Sequence, residues 1–261
     1  MIPLRDNQPA STFPLVTILL IAVNVLVYIV QQTLPLDGSW SLVPYEIVHH
    51  TDLSNVIGHI GQNGAVALYQ IPLHSPPIAL GPRDIYYGLS PHPLWLTIFT
   101  SMFMHSGLLH IGGNMLYLWI FGNNIEDVLG RSRFLIFYLV CGVAAAAAQI
   151  ATDPNSLIPN VGASGAIAGV LGAYFVLYPN ARVLTIIPIF IAFFAEIRAY
   201  WILLFWIVLN IFQGVAGLGM PGAGGVAHFA HIGGFFCGVV LIVLMGGRKL
   251  TAQPVRQWGG Y

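Results

Sequence analysis

Ser164 and His231 are a serine and a histidine that lie in two separate apolar stretches of the chain. Ser164 stands in the run Gly162-Ala163-Ser164-Gly165 at the start of one stretch, and His231 lies at a similar depth in a stretch near the C-terminus. Polar groups are costly in hydrocarbon and are usually retained there for a purpose. A hydroxyl and an imidazole that could meet inside a membrane suggest a nucleophile and its general base.

The composition is that of an integral membrane protein. The chain has 261 residues, of which 57% are hydrophobic and 7% are charged, whereas soluble domains contain about 25% charged residues. The apolar runs are long enough for helices rather than barrel strands. The net charge is zero and the basic residues are dispersed, so we expect no binding to nucleic acid. Cys141 and Cys237 both lie in apolar runs, which favours buried thiols over a disulfide.

Six apolar segments are long enough to cross a bilayer, and they predict an all-α, polytopic membrane protein. The segments are residues 13–30, 108–125, 134–151, 162–178, 200–215 and 225–246. A further apolar run, 183–195, has 13 residues. At about 1.5 Å per residue it reaches only about 20 Å of a roughly 30 Å core, so we expect it to be interfacial or partly buried.

The predicted organisation has three parts: a short N-terminal tail (1–12), a six-helix membrane domain (13–246) with an external loop at about 34–106, and a C-terminal tail (247–261). With six crossings, eight of the nine lysines and arginines lie on the side of the termini, and only Arg83 lies opposite. This asymmetry follows the positive-inside rule, so we expect cytoplasmic termini. A seventh crossing at 183–195 would break this asymmetry of the basic residues.

Three of the predicted helices carry polar residues at one depth. The second has His110 and Asn114, the fourth has Ser164, and the sixth has His228 and His231, all within about 10 Å of the outer surface. Polar groups at membrane depth normally face protein or water, so we expect a water-filled cavity that opens outward. His110 and Asn114 share a helix face and could stabilise an oxyanion with the Ser164 backbone amide. The alternative is a hydrogen-bonded pair that ties helices together.

Glycines on the fourth and sixth helices predict a close helix contact. Gly165 and Gly169 have a small-xxx-small spacing, and Gly234 and Gly238 repeat it on the sixth helix. We expect these glycines to bring the two backbones near enough for the serine to reach the imidazole.

As a set, these motifs resemble those of rhomboid intramembrane serine proteases. The residues around Ser164 and His231 match the family's Gly-x-Ser-Gly and His-x-x-Gly-x-x-x-Gly motifs. His110-x-x-x-Asn114, and a Glu-x-x-x-Gly run that begins at Glu126, match its second-helix motifs. The match extends in order and spacing over about residues 95–238.

The resemblance implies a six-helix bundle of the bacterial type in the inner or plasma membrane, with the activity of a serine-type intramembrane endopeptidase. Ser164 would be the nucleophile, His231 the general base, and His110, Asn114 and the Ser164 amide would stabilise the oxyanion, without a metal or other cofactor. The partners would be single-pass transmembrane substrates, cut near the outer membrane face, and membrane lipid. No carboxylate lies near the pair in sequence, which favours a Ser-His dyad, and we expect Glu126 to be structural, bonding loop amides at the inner membrane edge.

The chain departs from the family pattern at several positions. A tyrosine that in some members stacks on the base, one turn after the serine, is Ala168 here, so the sequence does not name the group that orients His231. The arginine that often follows Trp95 is Leu96, and residues 52–82 resemble an insertion.

Two other functions stay open. The first is a metal or solute transporter, since histidine binds zinc and copper and four histidines are expected around one outward cavity: His105 at its rim, His110, His228 and His231. Transporter sites, however, usually lie near the midplane, and the chain has no HExxH motif of a zinc protease. The second is an inactive rhomboid-like protein that only binds membrane helices; such proteins lack the serine or the histidine.

Overall fold

The computed structural model describes residues 1–33, 40–54, 56–61, 66–70, 81, 83–87, 93–189, 191–218 and 226–247. Most of this part of the chain is helical. The helices are α1 (Leu15–Thr33), α2 (Pro44–His49), α3 (Thr97–Thr100), α4 (Leu108–Tyr117), α5 (Asn123–Leu129), α6 (Arg131–Thr152), α7 (Ser164–Leu177), α8 (Ala199–Gly217) and α9 (His228–Leu244). A π-helical turn, Leu118–Gly122, joins α4 to α5. The strands are β1 (Ile2–Asp6), β2 (Val56–Ile60), β3 (Val66–Gln70), β4 (Asp84–Tyr87), β5 (Arg182–Ile189) and β6 (Ile191–Arg198).

Helices long and apolar enough to cross a membrane number three among the described residues, namely α1, α6 and α8. A bent pair, Leu94–Phe103 and Leu108–Leu129, makes a fourth candidate, and its two parts meet at 80°. Helices α7 and α9 are apolar but have only 14 and 17 residues. Each of the six predicted segments overlaps a described helix, while length and composition identify three to four crossings.

Helix α7 is the centre of the bundle. Every residue from Gly165 to Tyr174 is buried. The helix packs mainly on α9 and α6, and α9 in turn packs on α6 and α8. A helix that is apolar on all faces is stable only when protein or lipid surrounds it, and here protein does so. Ser164 is thus the first residue of the most enclosed helix.

The apolar run at 183–195 forms a β-hairpin of β5 and β6, and the prediction of wholly helical secondary structure is wrong at this point. β1, from the predicted N-terminal tail, pairs antiparallel with β5, so the strand order is β1-β5-β6. The run is rich in β-branched residues and contains Pro188, which disfavours a helix interior. Part of it is buried as expected, since Val183 and Thr185 have no exposed surface. Of the predicted C-terminal tail, only Gly247 lies within the described residues.

A second antiparallel sheet lies in the predicted external loop, with the strand order β3-β2-β4. It accounts for the described part of the insertion-like region; residues 55, 62–65, 71–80 and 82 of that region lie outside the description. The Tyr87 hydroxyl at the end of β4 donates a hydrogen bond to the Leu157 carbonyl, 2.5 Å away. Leu42 forms a β-bridge with Asn160. The loop is therefore tied to the segment that leads into α7 and its serine.

Candidate active site

Ser164 and His231 are in direct contact. The Ser164 Oγ at the start of α7 lies 2.8 Å from the His231 Nε2 in the first turn of α9. The two residues are 67 positions apart in the chain, so only the packing of α7 on α9 brings them together. At this distance the imidazole can accept the hydroxyl proton as the oxygen attacks an electrophile.

The glycines of α7 and α9 allow this contact. A Cβ built on Gly234 would lie 2.0 Å from the Gly165 carbonyl oxygen, and a Cβ on Gly238 would lie 2.0 Å from the Gly169 oxygen. The prediction that the two glycine pairs bring the backbones close is confirmed. Any side chain at these positions would separate the helices and pull the hydroxyl away from the imidazole.

Helix α8 supplies the groups that hold the His231 ring. The Asn210 Oδ1 lies 2.7 Å from the His231 Nδ1. The Trp206 ring lies against the imidazole with a centroid separation of 5.5 Å and an interplanar angle of 36°. Trp206 and Asn210 are one turn apart and share a helix face. The tryptophan thus covers the base, where the family tyrosine is replaced by Ala168.

Neither Trp206 nor Asn210 was identified from the sequence. A signal was present for Asn210, because an amide in the otherwise apolar run 200–215 is costly in hydrocarbon and demands a partner. Nothing in the sequence distinguished Trp206 from a lipid-facing aromatic residue.

His110 presents a hydrogen-bond donor beside the serine loop. Its Nδ1 accepts a hydrogen bond from the Ser106 backbone N–H, 3.4 Å away, and lies 3.0 Å from the Ser106 Oγ. A neutral imidazole that accepts at Nδ1 carries its proton on Nε2. That Nε2 lies only 2.7 Å from the position that a Cβ on Gly162 would occupy, two residues before Ser164.

Asn114 presents a second donor to the same place. The residue is 8% exposed, and its Nδ2 is buried without a hydrogen-bond partner among the described residues. The Nδ2 lies 3.6 Å from the same Cβ position on Gly162, whose backbone has a φ of 126° that disfavours any other residue. The Ser164 amide is also free of an intrahelical bond, because Ser164 is the first residue of α7. These groups can bind an oxygen that develops negative charge.

A small cavity adjoins the Ser164 side chain. Its wall is mostly apolar and includes small residues of α6 and α7, such as Ala145, Ala146 and Gly165. Its polar lining groups are Ser101, Gln149, Asn160 and Ser164. Ser164 therefore lines a small, partly polar recess.

His105 and His228, the other two histidines expected around the cavity, differ in position. His105, expected at the rim, is buried with 2% exposure, so that expectation is wrong; its ring packs edge-on against the His110 ring with centroids 5.0 Å apart. His228 is partly exposed, and its Nδ1 lies 3.2 Å from the Asn210 Oδ1. Among the described residues, no three His, Cys, Asp or Glu side chains form a group that could hold a metal ion.

Glu126 stabilises the start of α1. Its carboxylate accepts hydrogen bonds from the backbone amides of Val16 and Thr17 at 2.9 and 2.8 Å and from the Thr17 hydroxyl at 2.8 Å. These amides lie in the first turn of a helix, where no intrahelical partner exists. The carboxylate therefore bonds amides as expected, but they belong to the first turn of a helix and not to a loop.

A helical membrane bundle with a serine and a histidine in contact is the class of protein that this fold and site define. The chain belongs to the rhomboid family, since the family's Rhomboid domain matches residues 92–248. It is 30% identical over 149 residues to the mitochondrial Rhomboid protein 1 of Saccharomyces cerevisiae, which covers 56% of this chain and 40% of the relative.

Two further relatives have similar identity. The rhomboid protease GluP of Bacillus subtilis is 32% identical over 148 residues, which is 56% of this chain and 26% of GluP. The RHOMBOID-like protein 1 of Arabidopsis thaliana is 31% identical over 162 residues, which is 62% of this chain and 37% of the relative. The chain thus spans less than half the length of these three relatives.

Proposed function

We propose that this protein is a serine-type intramembrane endopeptidase that cleaves transmembrane helices near the outer membrane face through a dyad of Ser164 and His231. The observation that carries the proposal is the 2.8 Å contact between the Ser164 Oγ and the His231 Nε2. Membership of a family that includes a named rhomboid protease supports the same reaction.

The reaction begins when the Ser164 Oγ attacks the carbonyl carbon of the scissile peptide bond. The His231 Nε2 accepts the hydroxyl proton as the C–O bond forms, and the carbonyl oxygen becomes an oxyanion. The His110 Nε2–H, the Asn114 Nδ2–H and the Ser164 amide donate hydrogen bonds to that oxyanion. The C–N bond then breaks, and His231 gives its proton to the departing amine.

The second half of the reaction releases the acyl group from the serine. A water molecule attacks the ester carbonyl, His231 accepts a proton from this water, and the same donors stabilise the second oxyanion. When the intermediate collapses, His231 returns the proton to the Ser164 Oγ and the carboxylic product leaves. No metal or other cofactor takes part in this sequence.

The proposed membrane arrangement has six crossings with both termini in the cytoplasm of a cell, most simply a bacterium. Helices α7 and α9 complete the six, because both are predominantly apolar and pack among the longer helices. The distribution of basic residues supports the orientation, with eight of nine on the side of the termini. Substrates would be single-pass transmembrane proteins, which reach the site from the surrounding lipid.

The test compares the full-length protein with its Ser164→Ala variant in liposomes that contain a tagged single-pass substrate. We expect the wild-type protein to cleave the substrate within or next to its membrane helix, as mapped by mass spectrometry of the products, and the Ser164→Ala variant to leave it intact. A fluorophosphonate probe should label the wild-type protein at Ser164. Ser132→Ala, at an exposed serine at the start of α6, is the matched control and should cleave normally. Equal cleavage by Ser164→Ala would overturn the proposal.

A further inference from the structure

We propose that Asn210 is a positioning residue that holds His231 in the one tautomer that can act as a general base. This inference rests on the proposed protease function, and it assigns a role to a side chain of α8 that belongs to neither of the two catalytic motifs.

The hydrogen bonds of the Asn210 amide determine its orientation. The side chain is buried, and its Nδ2 donates a hydrogen bond to the Trp206 carbonyl oxygen one turn earlier, 2.9 Å away. That bond engages the donor end of the amide with the helix backbone. The acceptor end, Oδ1, therefore faces the imidazole of His231 at 2.7 Å.

The Asn210 oxygen determines which nitrogen of the His231 imidazole carries the proton. An amide oxygen only accepts hydrogen bonds, so the His231 Nδ1 must carry the proton that it donates to Asn210. A neutral imidazole has one N–H, which leaves the Nε2 with a free lone pair. This nitrogen faces the Ser164 hydroxyl at 2.8 Å. In the other tautomer the Nε2 would carry the proton and could not accept one from the serine.

The His231 ring is also held in one orientation. Trp206 covers one face of the imidazole, and Asn210 bonds its edge, so both constraints come from a single face of α8. Rotation of the ring would break the Nδ1–H bond to Asn210 and the Nε2 contact with Ser164 at the same time. The imidazole is therefore held before any substrate arrives, which lowers the cost of reaching the reactive geometry.

This arrangement differs from a serine–histidine–carboxylate triad. In such a triad an asparagine in place of the acid selects the wrong tautomer, with a loss of about 10⁴-fold in kcat. Here the Asn210 N–H₂ group is engaged with the Trp206 carbonyl, so the amide serves as an acceptor. The bond becomes charge-assisted when His231 takes the proton of Ser164.

His228 uses the same acceptor. Its Nδ1 lies 3.2 Å from the Asn210 Oδ1, a longer contact than the 2.7 Å contact of His231. A carbonyl oxygen has two lone pairs, so it can accept both N–H groups at once. Asn210 thus joins both histidines of α9 to α8, while only His231 reaches the serine.

The test uses the full-length protein with ¹⁵N-labelled histidine, and His231→Gln assigns the His231 signals. In the wild-type protein we expect the shifts of an Nδ1–H tautomer for His231. In Asn210→Leu the acceptor is lost, while the side chain keeps its branched shape and gains some volume. We expect His231 signals that move toward the Nε2–H tautomer and a kcat lower by about 10- to 100-fold with little change in KM, a smaller loss than removal of the base itself.

Two further variants separate positioning from packing. Asn210→Asp keeps an acceptor oxygen for the imidazole but loses the donor to the Trp206 carbonyl, so it should restore the Nδ1–H tautomer and recover part of the activity that Asn210→Leu loses. Asn24→Leu is the matched control, because the buried Asn24 also donates to the carbonyl one turn earlier, that of Leu20, but lies on α1. It should change neither the His231 signals nor the ratio of kcat to KM.

The role of Asn210 and the proteolytic function can fail independently of each other. Unchanged His231 signals and an unchanged kcat in Asn210→Leu would overturn the role of Asn210, even if the wild-type protein cleaves its substrate. If Asn210→Leu does not fold, Asn210→Ala makes the same comparison. A wild-type protein that cleaves no better than Ser164→Ala would count against the proposed function alone, because the tautomer measurement needs no substrate.

Discussion

The backbone of Gly234 lies against the carbonyl oxygen of Gly165, so closely that a Cβ on Gly234 would come within 2.0 Å of that oxygen. The Gly165 oxygen is a backbone atom, so it cannot move out of the way by a side-chain rotation. This contact sets the distance between α7 and α9 next to the residues Ser164 and His231. The proposed chemistry therefore depends on a position that has no side chain.

Gly234→Ala should lower both stability and activity. The added methyl group forces α9 away from α7, and overpacking of this kind costs about 1–3 kcal/mol. A displacement of about 1 Å at the reacting groups can reduce the rate about 100-fold. Thermal unfolding in detergent and cleavage kinetics measure the two effects. Gly217→Ala is the control, since a Cβ at Gly217 would meet no atom of the described residues within 4 Å. Equal behaviour of the two variants would contradict the role of the contact.

Gly162→Ala should impair cleavage more than it impairs folding. A Cβ there would lie 2.7 Å from the His110 Nε2, in the space where the oxyanion is expected, and the backbone φ of 126° adds strain. Gly130→Ala separates the two causes, because Gly130 also has a positive φ, 75°, but no atom of the described residues lies within 4 Å of a Cβ there. We expect both variants to lose stability, and only Gly162→Ala to lose kcat at the folded site. Similar kcat values would speak against a crowded oxyanion position.

Asn114→Ala should reduce kcat without destabilising the protein. Its Nδ2 has no hydrogen-bond partner in the part of the chain that the structure describes, so removal of the side chain breaks no hydrogen bond of that group there. Loss of one oxyanion donor costs about 10²–10³-fold in kcat. Asn124→Ala is the contrasting variant, because the Asn124 Nδ2 donates to the Asp6 carboxylate at 2.8 Å. That variant should lower the melting temperature and have the smaller effect on kcat. A large stability loss in Asn114→Ala would indicate a structural pair instead.

Asp6→Asn should alter how stability depends on pH. Burial raises the pKa of the Asp6 carboxyl above its ordinary value of 3.8, although hydrogen bonds from Tyr174 and Asn124 oppose the shift. The folded state therefore binds the proton more tightly, and the wild-type protein gains stability as pH falls through the raised pKa toward 3.8. Asp6→Asn should lack this gain. Unfolding measured at a series of pH values tests the difference.

Asp84 provides a control of opposite sign. A hydrogen bond with His59 is the main cause that lowers the pKa of the Asp84 carboxyl below 3.8. The contribution of the ionised Asp84 to stability is present above pH 3.8 and is lost as pH falls through the lowered pKa. Asp84→Asn should therefore lack this loss of stability at low pH, whereas Asp6→Asn should lack a gain. Parallel pH curves for the two variants would contradict the assignment for Asp6.

Much of the helical framework was predictable because it depends on local signals. Hydropathy over windows of about 20 residues identifies apolar helices without knowledge of their neighbours. Small-xxx-small spacing likewise identifies a face for close packing, and Gly234 and Gly238 lie on such a face. The sheets were not predictable in the same way. Ile2 of β1 pairs with Ile186 of β5, and nothing near Ile2 in the sequence reveals a partner so far along the chain.

The sequence by itself determined which side chains could do chemistry and on which helices they lie, because residue type and helical spacing are properties of short segments. Only the tertiary structure decided that the His231 Nδ1 meets Asn210, that Trp206 covers the imidazole, and that the Asn114 Nδ2, which no described residue pairs, faces the loop before Ser164. The physical reason is that a tautomer, a ring orientation and a vacant donor each depend on groups from different helices. Their relative positions are set by packing at the α7, α8 and α9 contacts.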